Sequence, residues 1–558
     1  MRRGATDAGV TVQAIAGTRG VFFGFDLDAT VRDGCLGFAI HRQGAADGSD
    51  PHWLSGFKTF KSVVPQPDPD TQYRSDKHPV QSFYWGDYTA RPGASYAYRV
   101  VPLYGSPAAP APKPGVEVTV VVDLDDPSEG THGIYFNRGV AASQAYAVSF
   151  TDPPDQLSPE KRAAAMRWLS RGLDEALIAF IDQASSPQWA LRASAFEFTE
   201  PGVLAAFQRA HDAGADVRIT YHAKDDSTGN GNRAALAAHP LPAETLIERR
   251  NGALSHSKTI VLCQVAAGGD LDPVSVWTGS TNWSEGGIFG HSNVGHVVRD
   301  PSIAAQYLQY WNAVSADPDV DALRDVVSAD NPFSVGSPPA GPVSAIFSPR
   351  HGLDPLRWYA QEFGGGASTT QITLAFGMTK LIEDALGAAQ GDALRFVMLN
   401  KADDHQSAWS ADRDHVLVAV GAVADPDALQ RWAHETLTGF NSIVEFLHTK
   451  ILLVDPLSAD PLVISGSANF SPDSTNANDE NMLVIRGDLQ VADTYFTEFG
   501  RLFQHFYARY WATQMHAQGA DADGGFLAED AGWQTAYTTG TKGRRRELFS
   551  HAVAGNQP

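Results

Sequence analysis

Cysteine is almost absent: Cys35 and Cys263 are the two in 558 residues, far apart in sequence. That leaves no disulfide framework and fits a reduced, cytosolic setting. No stretch approaches the roughly 20 apolar residues of a membrane span, so any lipid contact is expected to be peripheral. The N-terminal "MRRGATDAGVTVQAIAG" has two arginines but no sustained apolar run behind them, so no signal peptide is read there and a cytoplasmic location is expected, with non-classical export as the alternative. Positive charge is also scarce, with 42 Lys and Arg against 64 Asp and Glu and a net charge of −22. This disfavours a chain whose whole surface tracks nucleic acid or an anionic membrane, and it leaves room for a local cationic pocket.

At 558 residues and 43% hydrophobic content, the chain is too long for one ordinary core. From Val10 to Leu124, segments such as "VFFGFDL", "CLGFAIHRQ", "SYAYRVVPLY" and "VEVTVVVDL" alternate or are β-rich between Gly, Pro and Asp clusters. They predict an N-terminal antiparallel β-sandwich over 1–128. The stretch "RPGASYAYRVVPLYG" resembles the late strand of fibronectin type III-like domains, with Tyr96 as the tyrosine that braces the corner. "GSPAAPAPKPG" reads as a long hairpin loop, His41 and His78 as surface histidines.

After residue 130 the texture becomes α/β, with helices alternating with short apolar strands. "AMRWLSRGLDEALIAFIDQA" predicts one amphipathic helix with Trp168, Leu169, Leu173, Ala176 and Phe180 near one face. An internal repeat follows. "ALRASAFEFTEPGVLAAFQRAHDAGADVRITYHAK" is echoed by "TQITLAFGMTKLIEDALGAAQGDALRFVMLNK", each a strand, helix and strand. "LSHSKTIVLC…PVSVWTGSTNWS" is echoed by "FLHTKILLVD…PLVISGSANFS". Two halves are therefore expected, 129–335 and 336–515, separated by "NPFSVGSPPAGPVS", with 516–558 as a C-terminal tail.

On a strand, residues i and i+2 share a face, so His256 points with Lys258 and His448 with Lys450. A hairpin return would bring Gly279-Ser280-Thr281-Asn282 or Gly466-Ser467-Ala468-Asn469 beside its own His and Lys. Imidazole, ammonium and amide together suit a phosphate: donors for its oxygens and a nitrogen to attack phosphorus. No carboxylate-rich metal cage is evident, so metal-independent chemistry without a cofactor is expected. One HxK is a weak signal, but two copies, each followed by GSxN in the same order, are strong.

At this point the chain resembles the phospholipase D superfamily, whose mark is a duplicated HxK(x)4D motif followed by GSxN and a later acidic residue. The second copy matches in full, with His448, Lys450, Asp455, Gly466, Ser467, Asn469 and Glu480. The first has Cys263 in place of the aspartate and Asn293 in place of the acidic residue, while His256, Lys258, Ser280 and Asn282 are retained. The resemblance implies two α/β/α halves around one shared site, one histidine attacking phosphorus and the other protonating the leaving oxygen. It also implies that the late acidic residue of one half supports the histidine of the other, so Glu480 would serve His256 and Asn293 would serve His448. A carboxylate fixes the imidazole tautomer and strengthens the other nitrogen as a nucleophile, which assigns His256 as nucleophile and His448 as general acid and then base. A similar amide-for-carboxylate asymmetry occurs in the tyrosyl-DNA phosphodiesterase branch. Lys258 and Lys450 complete the catalytic set; Ser280, Asn282, Ser467 and Asn469 are the expected substrate-binding residues, with Asn293 and Asp455 in support and no metal.

The expected substrate is a phosphodiester, with a phospholipid head group first. A nuclease or DNA-repair phosphodiesterase is the alternative, supported by the basic "KGRRRELF" with Arg544, Arg545 and Arg546. An inactive phosphate-binding module is the third reading. Trp283 and Phe470, after each GSxN, are candidates for an apolar pocket or for wall packing. Cys263 reads as a small buried strand residue, with a redox switch or second nucleophile as the alternative.

Overall fold

The computed structural model describes residues 1–68, 71–139, 146, 149–150, 152–401, 415–421, 446–517 and 526–551. Two seven-stranded sheets form its centre, and they share one topology. The first runs His132–Phe136, Val294–Val298, Leu271–Gly279, Thr259–Val265, Trp189–Ala195, Asp216–His222 and Leu246–Arg249. The second repeats that order with Val343–Ser348, Glu480–Arg486, Leu462–Gly466, Ile451–Val454, Thr369–Leu374, Leu394–Leu399 and Val416–Val420. Within each, Trp189–Ala195 or Thr369–Leu374 pairs in parallel with the strand after its helix, and antiparallel with the strand that follows the HxK triplet. The strands are buried on both faces because helices cover them, which is why they read as apolar runs rather than as alternating ones.

The N-terminal residues form two antiparallel sheets, as the alternation predicted. Arg2–Asp7, Val10–Ala16, Val21–Leu27 and Tyr84–Asp87 make one; Gly37–Gly44, Ser95–Ser106, Val118–Asp123 and shorter strands make the other. The Pro/Ala-rich stretch is a hairpin whose second arm, Ala109–Pro112, pairs with Ser95–Ser106. Tyr96 lies beneath the Arg42 guanidinium, 4.8 Å from its ring, while Tyr98 and Tyr104 carry the buried hydroxyl bonds, to Asp87 and to the Val31 carbonyl. His78 is buried and accepts a hydrogen bond from the Phe60 N–H, so it is an interior group rather than a surface one.

Two further expectations change. The single helix across 165–184 is two, Pro159–Ser170 and Leu173–Ile181, because Arg171 and Gly172 take positive φ between them. The turn delivers the Arg171 guanidinium to both oxygens of Glu498, at 2.7 and 2.8 Å, inside the molecule. Glu498 sits on the long helix Leu489–Ala517, which also holds Arg501 against it. The supposed tail contains a docked helix, Gly540–His551. Phe549 packs on Phe22 at 4.9 Å, Arg545 is buried over Tyr84, and Arg546 pairs with Asp26. Gly24 makes the docking possible, since a Cβ there would lie 1.9 Å from the Phe549 carbonyl oxygen. The basic run thus folds inward because its aliphatic stems and intervening apolar residues find aromatic partners.

Candidate active site

Both HxK triplets lie immediately before a strand, not inside one: the strands begin at Thr259 and Ile451. The reason is that these extended segments bond across to the other half. Ser292 N–H donates to the Phe446 carbonyl and the His448 N–H to the Ser292 carbonyl, while the Asp479 N–H donates to the Leu254 carbonyl. Each GSxN glycine permits the close strand crossing beside its histidine. A Cβ on Gly279 would meet the Val294 oxygen at 2.2 Å, and one on Gly466 the Asn481 oxygen at 2.2 Å.

His256 and His448 face one another, with ring centroids 6.5 Å apart. Their second partners cross between halves. His256 Nδ1 lies 2.9 Å from Glu480 Oε2, and His448 Nδ1 lies 3.0 Å from Asn293 Oδ1. The Asn293 amide is oriented by its other bonds, since Nδ2 donates to the Gly287 carbonyl at 2.7 Å and Oδ1 accepts from Ser280 Oγ at 2.8 Å. Its Oδ1 therefore accepts from His448 Nδ1–H, which leaves His448 Nε2 toward the site. Carboxylate and amide thus select the same tautomer in the two halves.

Ser467 Oγ donates to Glu480 Oε2 at 2.6 Å, as Ser280 Oγ does to Asn293 Oδ1, so each serine holds the partner of a histidine. Asn282 and Asn469 keep a buried Oδ1 without a hydrogen-bond partner among the described residues, as does Glu480 Oε1. Lys258 Nζ donates to the His256 carbonyl, and Lys450 Nζ to the His448 carbonyl at 2.5 Å. Asp455 is not part of the cluster. It follows the four-residue strand that His448 precedes, about 20 Å along the chain by strand rise. Its carboxylate accepts from the amides of Ala367, Ser368 and Thr369 at 2.8, 2.6 and 3.0 Å, which pins the start of the neighbouring strand. Cys263, its counterpart, is fully buried opposite Ala190, and burial pushes its thiol up to about 12. Trp283 and Phe470 are core residues, packed on Phe198 and Tyr359.

Burial dominates the electrostatics. It pulls His256 down to about 4 against the opposing pull of Glu480, and Lys258 down to about 7. His448 and Lys450 are driven well below their ordinary values, first by burial and then by neighbouring cations. Glu480 is held below the usual carboxylate range: burial pushes it up, but His256, Lys258 and the Ser467 hydroxyl outweigh that. Burial thus holds His256 and His448 toward their neutral forms, while Glu480 is held toward its ionised one.

Three groups escaped the motif. Phe196 lays its ring 4.7 Å from His256 and 4.9 Å from the Lys258 ammonium. Glu197 beside it accepts from Ser284 Oγ at 2.5 Å, and its charge acts on both Lys258 and Lys450. His291 lies 4.5 Å from the His448 ring. The signal for the first two is their position at the end of the strand next to the HxK strand; for His291 it is its place two residues before Asn293.

Residues 177–314 and 407–503 match a protein-family model described as "Cardiolipin synthase, PLD-like domain". No curated protein matches the chain. Among solved structures, polyphosphate kinase from Porphyromonas gingivalis is similar at 11% identity over 56% of this chain and 43% of that one, with a TM-score of 0.39. The chain thus spans less than half of that kinase. Phosphatidylserine synthase from Haemophilus influenzae matches at 11% over 63% and 91%, with a TM-score of 0.42. Nuc, a phospholipase D family member from Salmonella typhimurium, matches at 25% over 26% and 86%, with a TM-score of 0.21. Each half thus carries a segment that matches the PLD-like domain model.

Proposed function

We propose that the protein is a metal-independent phosphodiesterase that acts through a covalent phosphohistidine on a phospholipid head-group ester. The observation that carries this reading is the crossed pairing of His256 with Glu480 and of His448 with Asn293. His256 Nδ1–H is held by the carboxylate, so the Nε2 lone pair attacks phosphorus and Glu480 balances the positive charge left on the ring. The P–O bond to the leaving alcohol breaks as His448 Nε2–H gives that oxygen its proton. His448 then takes a proton from water, whose oxygen attacks phosphorus; the P–N bond breaks and its electrons return to His256. Lys258 and Lys450 balance the non-bridging oxygens, with the amide nitrogens of Asn282 and Asn469 donating to them. The anionic diester raises the pKa of each buried cation, which supplies protonated His448 in the complex.

The lipid reading is supported by the net charge of −22 and by Glu197, a carboxylate beside the phosphate site that opposes a second phosphate. The basic run that supported a nucleic-acid substrate is engaged with Tyr84, Asp26 and Asp392. The test is hydrolysis in chelator of phosphatidylcholine, single-stranded and duplex DNA, and small diester reporters. Phosphatidylcholine is expected to turn over, with a loss of roughly 10³-fold or more in His256→Ala and His448→Ala. A requirement for a divalent metal, or activity that survives His256→Ala, overturns the mechanism; cleavage of DNA alone makes it a nuclease, and phosphate binding without turnover an inactive module. In His448→Ala, label from substrate should accumulate on His256; label on His448 in the converse variant would reverse the roles.

A further inference from the structure

Each of the facing histidines has one ring against it, and the two rings differ. Phenylalanine covers His256, through Phe196 at 4.7 Å. A third imidazole covers His448, through His291 at 4.5 Å and 41°. His291 is 5% exposed, and its backbone is tied at both ends: the N–H donates to the Gly286 carbonyl, and the carbonyl accepts from Asn137 Nδ2 at 2.8 Å. The next two residues hold the same target. Ser292 accepts from the His448 N–H at 3.1 Å and Asn293 from His448 Nδ1 at 3.0 Å. Three consecutive residues of one half thus grip the face, backbone and Nδ1 of a histidine belonging to the other. At the matching position before Glu480 stands Asn478, so the arrangement is not repeated around His256.

We propose that His291 is a positioning residue for proton transfer: stacked on His448, it lets the pair hold at most one proton and so sets the share of that proton that His448 has available as an acid. The proposal rests on His448 being the general acid. Two imidazolium ions at this separation in a buried site repel strongly, so a proton on either ring disfavours one on the other. The other charged groups acting on His448 are Lys450 on its own segment and His256 and Lys258 across the site, all cationic when protonated. Asn293 is neutral, and Glu480 bonds to His256. His291 is therefore the imidazole packed on His448 that can compete for its proton, and replacing it with a ring that carries no charge keeps the packing while removing the competitor.

The experiment compares kcat against pH for wild type, His291→Phe and His291→Gln on two phosphatidyl esters. One releases an alkanol, which needs a proton; the other releases nitrophenol, which does not. In both variants kcat for the alkanol ester should rise by about twofold or more on the acidic side of the basic limb, because the proton no longer divides between two rings, while the limb itself stays or moves down. The burst of nitrophenol, which precedes the step in which His448 acts as base, should be unaltered. An unchanged alkanol plateau, a limb that moves up, or an equal loss on both esters at every pH would overturn the proposal and leave His291 as packing. If the wild type hydrolyses neither ester in chelator, the proposed function itself fails, whereas turnover of both with an alkanol plateau unchanged in the variants removes only the role of His291.

Discussion

At residue 293 an amide does the work that a carboxylate does at 480: both fix an imidazole through Nδ1, but only one can balance a positive charge. The spacing from each GSxN pointed to both residues because it is local. His291 and Phe196 were not legible, since their contacts with His448 and His256 join residues distant in the chain and depend on how the two halves meet. The same holds for the serines of GSxN, whose identity was plain and whose bonding to Asn293 and Glu480 was not. Cys263 belongs at this scale too. With its thiol pushed up to about 12 and buried against Ala190, it is no nucleophile, so Cys263→Ser should leave kcat within about twofold. The buried hydroxyl should cost about 1–2 kcal/mol in a thermal melt. A collapse in turnover with the fold intact would refute this.

Among elements, strands and their order were easier to read than helix ends. The apolar runs of both halves announced the sheets, whereas the break at Arg171-Gly172 depends on Glu498, which lies far along the chain. Gly172 was a visible stop signal, outweighed by apolar periodicity that continues past it. The C-terminal helix shows the opposite failure: 516–558 was expected as a tail, yet Phe549 anchors the segment between Phe22, Tyr84 and Phe496. Phe549→Ala should therefore cost about 3–5 kcal/mol by chemical denaturation, where a free tail would show no change.

For the molecule as a whole, the buried cations of the site cost stability. Lys258 has a folded-state pKa of about 7 against 10.5 when exposed, so unfolding takes up a proton between those values. The penalty is fully present below pH 7 and fades as pH rises toward 10.5. Lys258→Met should consequently melt at a higher temperature than wild type at neutral pH, with the gain shrinking as pH approaches 10.5 and with activity lost. A gain that grows with pH would contradict the burial argument. The sheets, their duplication and the charged motif were all readable in the linear sequence. The attachment of the N-terminal sheets was not, because Arg2 reaches Asp493 and Phe22 enters the central core only once the long helix is in place.

The crossed support of the two histidines bears on how such a site can change. In a dimer of two identical half-chains, every substitution would occur twice, and an amide replacing one carboxylate would replace both. Joined in one polypeptide, the copies escape that constraint. Asn293 could replace a carboxylate while Glu480 stayed, and Cys263 could lose the strand-pinning aspartate that Asp455 keeps. Covalent fusion is thus what lets one histidine keep a carboxylate at Nδ1 while the other takes an amide.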